Sequence, residues 1–130
     1  MSNLLCILSG KESFKSFGEA DKKSVLSAEQ KLLLRFSNEY VDYLSAFLFA
    51  IYDGHELTGL CKAKRLNVVD VTLAEREVNP NVPKDWYVIE QTHIDDIVIW
   101  QNAKGEIYQT APNAKPIKIC DSLAEYVERY

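Results

Sequence analysis

Reactive residue types are scarce in this 130-residue chain, which has three cysteines and two histidines. Cys6, Cys61 and Cys120 are odd in number and form no Cys-x-x-Cys pair. That argues against a disulfide framework and against a zinc site of common spacing, and it suits a reducing cytosol. His55 follows a turn and His93 lies between two expected strands. Neither adjoins a serine, cysteine or carboxylate in a recognised nucleophile motif, so both read as ordinary turn or surface residues. The five glycines (10, 18, 54, 59, 105) are scattered, and no phosphate-cradling or dinucleotide pattern appears. Positive charge is also short: 15 basic residues face 19 acidic ones, a net charge of −4. This argues against a nucleic-acid binder that relies on phosphate contacts, and the three bases of Lys62–Arg65 do not change that. Leu4–Leu8 is apolar but short and has no basic lead, too little for a signal-peptide core or a membrane span. It reads as a strand or an early packed turn.

What the chain does have is pattern. Its length suits one domain spanning residues 1–130, and no internal repeat, low-complexity stretch or long linker divides it. A domain of this size buries roughly two-thirds of its unfolded surface and needs no metal to fold. Phe14 and Phe17 interrupt a polar N-terminal segment and anchor an arm or a short helix. Ser27-Ala28-Glu29-Gln30 has the form of a capping box, which predicts a helix over about 27–36. Ser37 caps a second helix whose apolar side carries Tyr40, Val41, Tyr43, Leu44, Phe47 and Leu48, ending near Phe49. Asp53-Gly54 marks a tight turn between two extended stretches, 49–51 and 56–60. Residues 67–71 read as a strand or as the approach to a helix. Thr72-Leu73-Ala74-Glu75 is a second capping box, opening a helix through about Val78 that Pro80 and Pro83 stop.

Three β-rich runs follow: 86–91, 94–101 and 106–110. Asn102–Gly105 joins the last two as a hairpin turn, with Gly105 free to take positive φ. Ile97–Trp100 is continuously apolar, as in a strand covered on both faces. Ile117-Lys118-Ile119 adds an edge strand, and Asp121 or Ser122 caps a closing helix buried through Leu123, Tyr126 and Val127. Trp86 and Trp100 read as core between helix and sheet, with a ligand pocket as the other possibility.

Charge is patterned too. From Phe36 to Cys61 the chain carries Glu39, Asp42, Asp53 and Glu56 without a base. From Asp85 to Ala103 it carries Asp85, Glu90, Asp95 and Asp96, again without a base. If the two blocks are neighbours they form one acidic face that steers a basic partner; if not, they are separate solvated faces. Asp95-Asp96 alone offers too few oxygens for a hard cation.

The ordered series Glu39-Tyr40-Val41-Asp42-Tyr43-Leu44, Glu56–Leu60, Asn67-Val68-Val69, Thr72–Arg76, Tyr87–Glu90, Ile97–Asn102, Gly105–Tyr108 and Ser122–Tyr126 resembles the SUKH superfamily. The likeness is to its cell-wall-assembly-regulator-like branch and covers about residues 25–130, leaving 1–24 outside. It departs at Phe49, where such proteins often carry glycine before the Ala-Ile pair. The resemblance implies an α+β domain with helices on a curved, mainly antiparallel sheet closed by a C-terminal helix. It also implies a non-enzymatic role without cofactor or metal. Many bacterial members are immunity proteins that bind a cognate polymorphic or contact-dependent toxin, often a nuclease, in the cytoplasm. On that expectation the partner is a basic protein toxin, with no direct nucleic acid and no membrane. Asp53, Glu56, Glu90, Asp95 and Asp96 are the candidate contacts. A regulatory or scaffold module unrelated to toxins is the alternative. A third class is an enzyme or sensor with a pocket near His93 and Asp96.

Overall fold

The computed structural model describes residues 3–130. It is α+β: helix α1 (Asn3–Ser9), strand β1 (Lys15–Ser16), α2 (Lys22–Leu32), α3 (Asn38–Phe47), β2 (Ala50–Tyr52), β3 (His55–Glu56), a 3₁₀ turn (Lys64–Leu66), α4 (Val68–Val78), β4 (Tyr87–Gln91), β5 (Val98–Gln101), β6 (Ile107–Thr110), β7 (Ile117–Cys120) and α5 (Leu123–Arg129). The strands form two antiparallel sheets rather than one, in the orders β1-β2-β3 and β4-β5-β6-β7.

The N-terminal apolar run is helical, not extended. Leu4 and Leu8 fall on one side of α1, one turn apart, and both are fully buried. Seven residues are too few for a helix to persist alone, so packing against α3 and α5 holds this one. Phe14 and Phe17 anchor an arm: Phe14 meets Phe47 edge-on at 5.0 Å between centroids, and Phe17 stacks on Phe49 at 4.2 Å.

Both capping boxes fall inside helices. α2 starts earlier, where the Asp21 side chain accepts the Ser24 N–H at 2.8 Å. α4 starts at Asn67, whose side chain accepts the Val69 N–H at 2.9 Å. Thr72 is buried in mid-helix, and its hydroxyl accepts the Val88 N–H at 3.0 Å, fastening α4 to β4. Ser37 does cap α3, accepting from the Tyr40 N–H at 3.0 Å, and Ser122 caps α5, accepting from the Glu125 N–H at 3.1 Å. After α3 the chain reverses in one residue. Leu48 takes φ 64° and ψ −57°, and the Phe49 N–H reaches back to the Phe47 carbonyl at 2.6 Å. This is the strained form of the γ-turn, and it lies immediately before Phe49.

The four-stranded sheet is covered on both faces, as the continuous apolar run in β5 requires. One face contributes Tyr87, Ile89, Ile99 and Ile107 to the main core with α1, α2, α3 and α5. The other packs Val88, Val98 and Trp100 with Trp86, Val71 and Val82. Both tryptophans are therefore core residues: Trp100 is fully buried, and its indole N–H donates to the Thr110 hydroxyl at 2.8 Å. Gly105 takes φ 91° and closes the β5–β6 turn with its N–H on the Asn102 carbonyl at 2.9 Å.

Candidate functional site

Two turns carry the exposed candidate acids. Between β2 and β3, Asp53 (φ 45°) and Gly54 (φ 83°) form a two-residue loop with both central φ values positive. This is the hairpin turn that matches strand twist, and it leaves Asp53 exposed at the tip. Between β4 and β5, His93, Asp95 and Asp96 all have φ between 53° and 59°. The Thr92 hydroxyl donates to the Ile97 carbonyl at 2.8 Å and braces this turn from inside. These six residues, 92–97, are why β5 begins at Val98 rather than at Ile94. Asp95, Asp96 and His93 are exposed.

Glu56 sits behind the first turn. Both its oxygens accept from the Arg65 guanidinium at 2.9 Å, in a fork that fits a carboxylate. Those hydrogen bonds hold its carboxyl below the usual range, helped by the charges of Arg65 and His93. β3 and the residues after it lie against β4: His55 meets Glu90 at 3.0 Å, and the Thr58 N–H reaches the Ile89 carbonyl at 2.8 Å. The two acid-bearing stretches do adjoin.

Glu90 departs from the expected surface role. It is buried, 4% exposed, with one oxygen accepting the Tyr126 hydroxyl of α5 at 2.6 Å and the other 3.0 Å from His55 Nδ1. Strict alternation along β4 would send Glu90 to the α4 face. A β-bulge at Ile89 prevents it: Val88 pairs with Trp100, but Glu90, not Ile89, pairs with Ile99. The extra residue turns Glu90 toward the main core, a usual effect of a bulge. His55 also stacks on Tyr52, 4.8 Å between centroids. The Tyr52 hydroxyl is buried without a partner, and burial followed by the Glu90 charge pushes its ionisation well up. Imidazole, carboxylate and phenol here knit β3, β4 and α5 together, and neither cleft described below is lined by His55.

Glu39 is likewise internal in its role. Its two oxygens accept the Leu123 N–H at 2.7 Å and the Ala124 N–H at 2.9 Å, the first free donors of α5. It also accepts the Gln101 amide at 3.0 Å. Gln101 in turn receives the Tyr87 hydroxyl at 2.8 Å, and Tyr87 accepts the Ser37 N–H at 2.9 Å. Of the acids in the two blocks, Asp42, Asp53, Asp85, Asp95 and Asp96 remain exposed.

Asp96 and His93 also border a cleft of about 860 Å³ between the end of α4, the β4–β5 turn and the β6–β7 loop. Glu75, which the sequence offered only as part of a capping box, and Lys115, which no pattern singled out, line it as well. A shallower groove lies between α2 and the start of α4, lined by Lys23, Lys31 and Asp70. Among the described residues, no group of three or more His, Cys, Asp or Glu is placed to hold a metal ion. No helix among them is long and apolar enough to cross a membrane.

No curated protein matches the chain. A family model does, SUKH_5, described as SMI1-KNR4 cell-wall, over residues 7–130. The match begins about eighteen residues before the likeness read from the sequence, at residue 7 rather than about 25, and takes in the end of α1 and the Phe14–Phe17 arm. With its α+β order of elements and nearly its whole length matched, the chain belongs to the SUKH family, which includes toxin immunity proteins.

Proposed function

We propose that this SUKH domain is an immunity protein. It binds a cognate polymorphic or contact-dependent toxin of nuclease type in the bacterial cytoplasm and blocks it without making or breaking bonds. One observation supports the reading: the two acid-bearing stretches adjoin, through His55 on Glu90 and through the Thr58 N–H on the Ile89 carbonyl. They bring the Asp53 and Asp95-Asp96 turns to neighbouring strands β3 and β4. An enzyme that attacks nucleic acid needs a basic cleft, and an acidic protein that faces such a cleft associates fast and excludes the substrate. The contacts are Asp53, Asp95 and Asp96 at the turns, with Glu56 beside them. Glu90 serves the same face from within by fixing His55.

The test is co-expression with the toxin gene encoded next to this one. Growth rescue and a complex that survives purification are expected. Absence of both, with the domain folded and abundant, overturns the reading. A complex with a cellular protein outside any toxin cassette, found in their place, favours the scaffold role.

A further inference from the structure

The cleft beside Asp96 has a chemistry of its own. Its volume of about 860 Å³ falls in the range of ligand sites, ~300–1,000 Å³. The exposed Val78, the half-buried Ile97 and Pro80, Pro112 and Pro116 line it, so part of its wall is apolar. Two carboxylates line it. Glu75 accepts the Gln91 side-chain amide at 2.6 Å and, more weakly, the Asn79 amide at 3.4 Å. Both donors are neutral, so they orient the carboxylate and leave its charge in place. Neither Glu75 nor Asp96 takes part in any ion pair among the described residues. Lys115, the cation in the lining, is exposed and forms none either. With histidine counted as neutral, as in the net charge of the chain, two carboxylates against one flexible ammonium leave the concavity net negative. Its apolar wall lowers the dielectric around those charges and strengthens their pull on a cation.

We propose that this cleft is a socket for one basic side chain of a protein partner, arginine by preference. The aliphatic stem lies along Val78 and Ile97, and the guanidinium meets the carboxylates of the lining, Glu75 and Asp96. A long side chain with an apolar stem and a charged head suits this combination, and a planar fork of donors suits a carboxylate better than an ammonium does. The inference rests on the reading of this protein as a binder of a basic partner, and it names where one anchor residue enters.

The experiment is a titration of the isotope-labelled protein with N-acetyl-arginine amide, followed by NMR. N-acetyl-citrulline amide, of the same shape but uncharged, is the control. Saturable shifts are expected at the Gln91 side-chain amide and the Val98 and Thr110 backbone amides, with citrulline at least tenfold weaker. Glu75→Gln and Asp96→Asn should each weaken arginine at least tenfold. Asn tolerates the left-handed conformation at position 96, and an unchanged amide spectrum elsewhere verifies the fold of both variants. Equal shifts with citrulline, shifts confined to other regions, or none at all overturn the socket. A toxin complex that forms and is indifferent to both variants also overturns it, while leaving the immunity reading intact. Arginine binding as described, with no toxin complex and no rescue, upholds the socket and sinks the immunity reading alone.

Discussion

Gly59 rests directly on the carbonyl of Leu48. A Cβ at this position would collide with the Leu48 oxygen and stand 2.6 Å from the Phe49 Cβ. That same oxygen accepts the Leu60 N–H at 3.1 Å, and the Gly59 N–H reaches the Leu66 carbonyl at 2.9 Å. The strained γ-turn is thus clamped by backbone that only glycine lets this close. Gly59→Ala must push backbone against backbone, since no flexible side-chain end is available to yield. A loss of about 2–3 kcal/mol is expected, the upper range for overpacking, read as a lower urea midpoint at unchanged slope.

Glu39 closes the N-terminus of α5 from 84 residues away. Glu39→Ala leaves the Leu123 and Ala124 N–H groups and the Gln101 amide unpaired around a partly buried site. The expected cost is about 2–4 kcal/mol. Glu39→Gln keeps one acceptor and the shape but loses the charge that favours a helix N-terminus, and should cost roughly half as much. Thermal unfolding of the two variants side by side checks the order.

Burial pushes the phenols of Tyr40, Tyr43, Tyr52, Tyr87 and Tyr126 up, well clear of their ordinary value. The folded state therefore holds these protons more tightly than the unfolded one. Its stability is intact below about pH 10, the ordinary phenol value, and drains away as pH rises above it. Absorbance at 295 nm and far-ultraviolet circular dichroism should change together in one steep alkaline transition. Gradual phenol ionisation with the fold retained would contradict this.

Removing the exposed charges of Asp53, Asp95 and Asp96 together, each to Asn, touches no hydrogen bond described above. Stability should stay within about 0.5 kcal/mol, because these are surface sites and Asn accepts positive φ. Association with the cognate toxin should slow about tenfold at low salt, and the difference should shrink at high salt. Stopped-flow mixing at two ionic strengths measures both. An unchanged association rate would remove these turns from the interface.

Where local pattern and tertiary demand agree, the reading from sequence holds. Ser37 and Ser122 cap their helices, Asp53-Gly54 and Asn102–Gly105 turn their hairpins, and Ile97–Trp100 is covered on both faces. It fails where a distant partner decides. Ser27 and Thr72 sit in perfectly good capping strings, but Asp21 and Asn67 come first and the helices run through. Thr72 uses its hydroxyl on β4 instead. Leu4–Leu8 is too short to declare a helix, and only the core beneath it does so. Glu90 shows the limit most sharply. Two-residue alternation cannot register a bulge, so a carboxylate that looks solvent-facing is committed to Tyr126 and His55. Glu75 was legible only as a helix-start residue. Its place in a cleft depends on where three separate loops end up, which no local string encodes.

The tie between Glu39 and α5 binds the closing helix to the centre of the domain. Glu39 on α3 holds the Leu123 and Ala124 N–H groups, and Glu90 on β4 holds the Tyr126 hydroxyl. Detaching α5 strands two carboxylates at once, one of them buried. The helix therefore opens only at the cost of both, which puts it among the last parts of the molecule to exchange its amide protons.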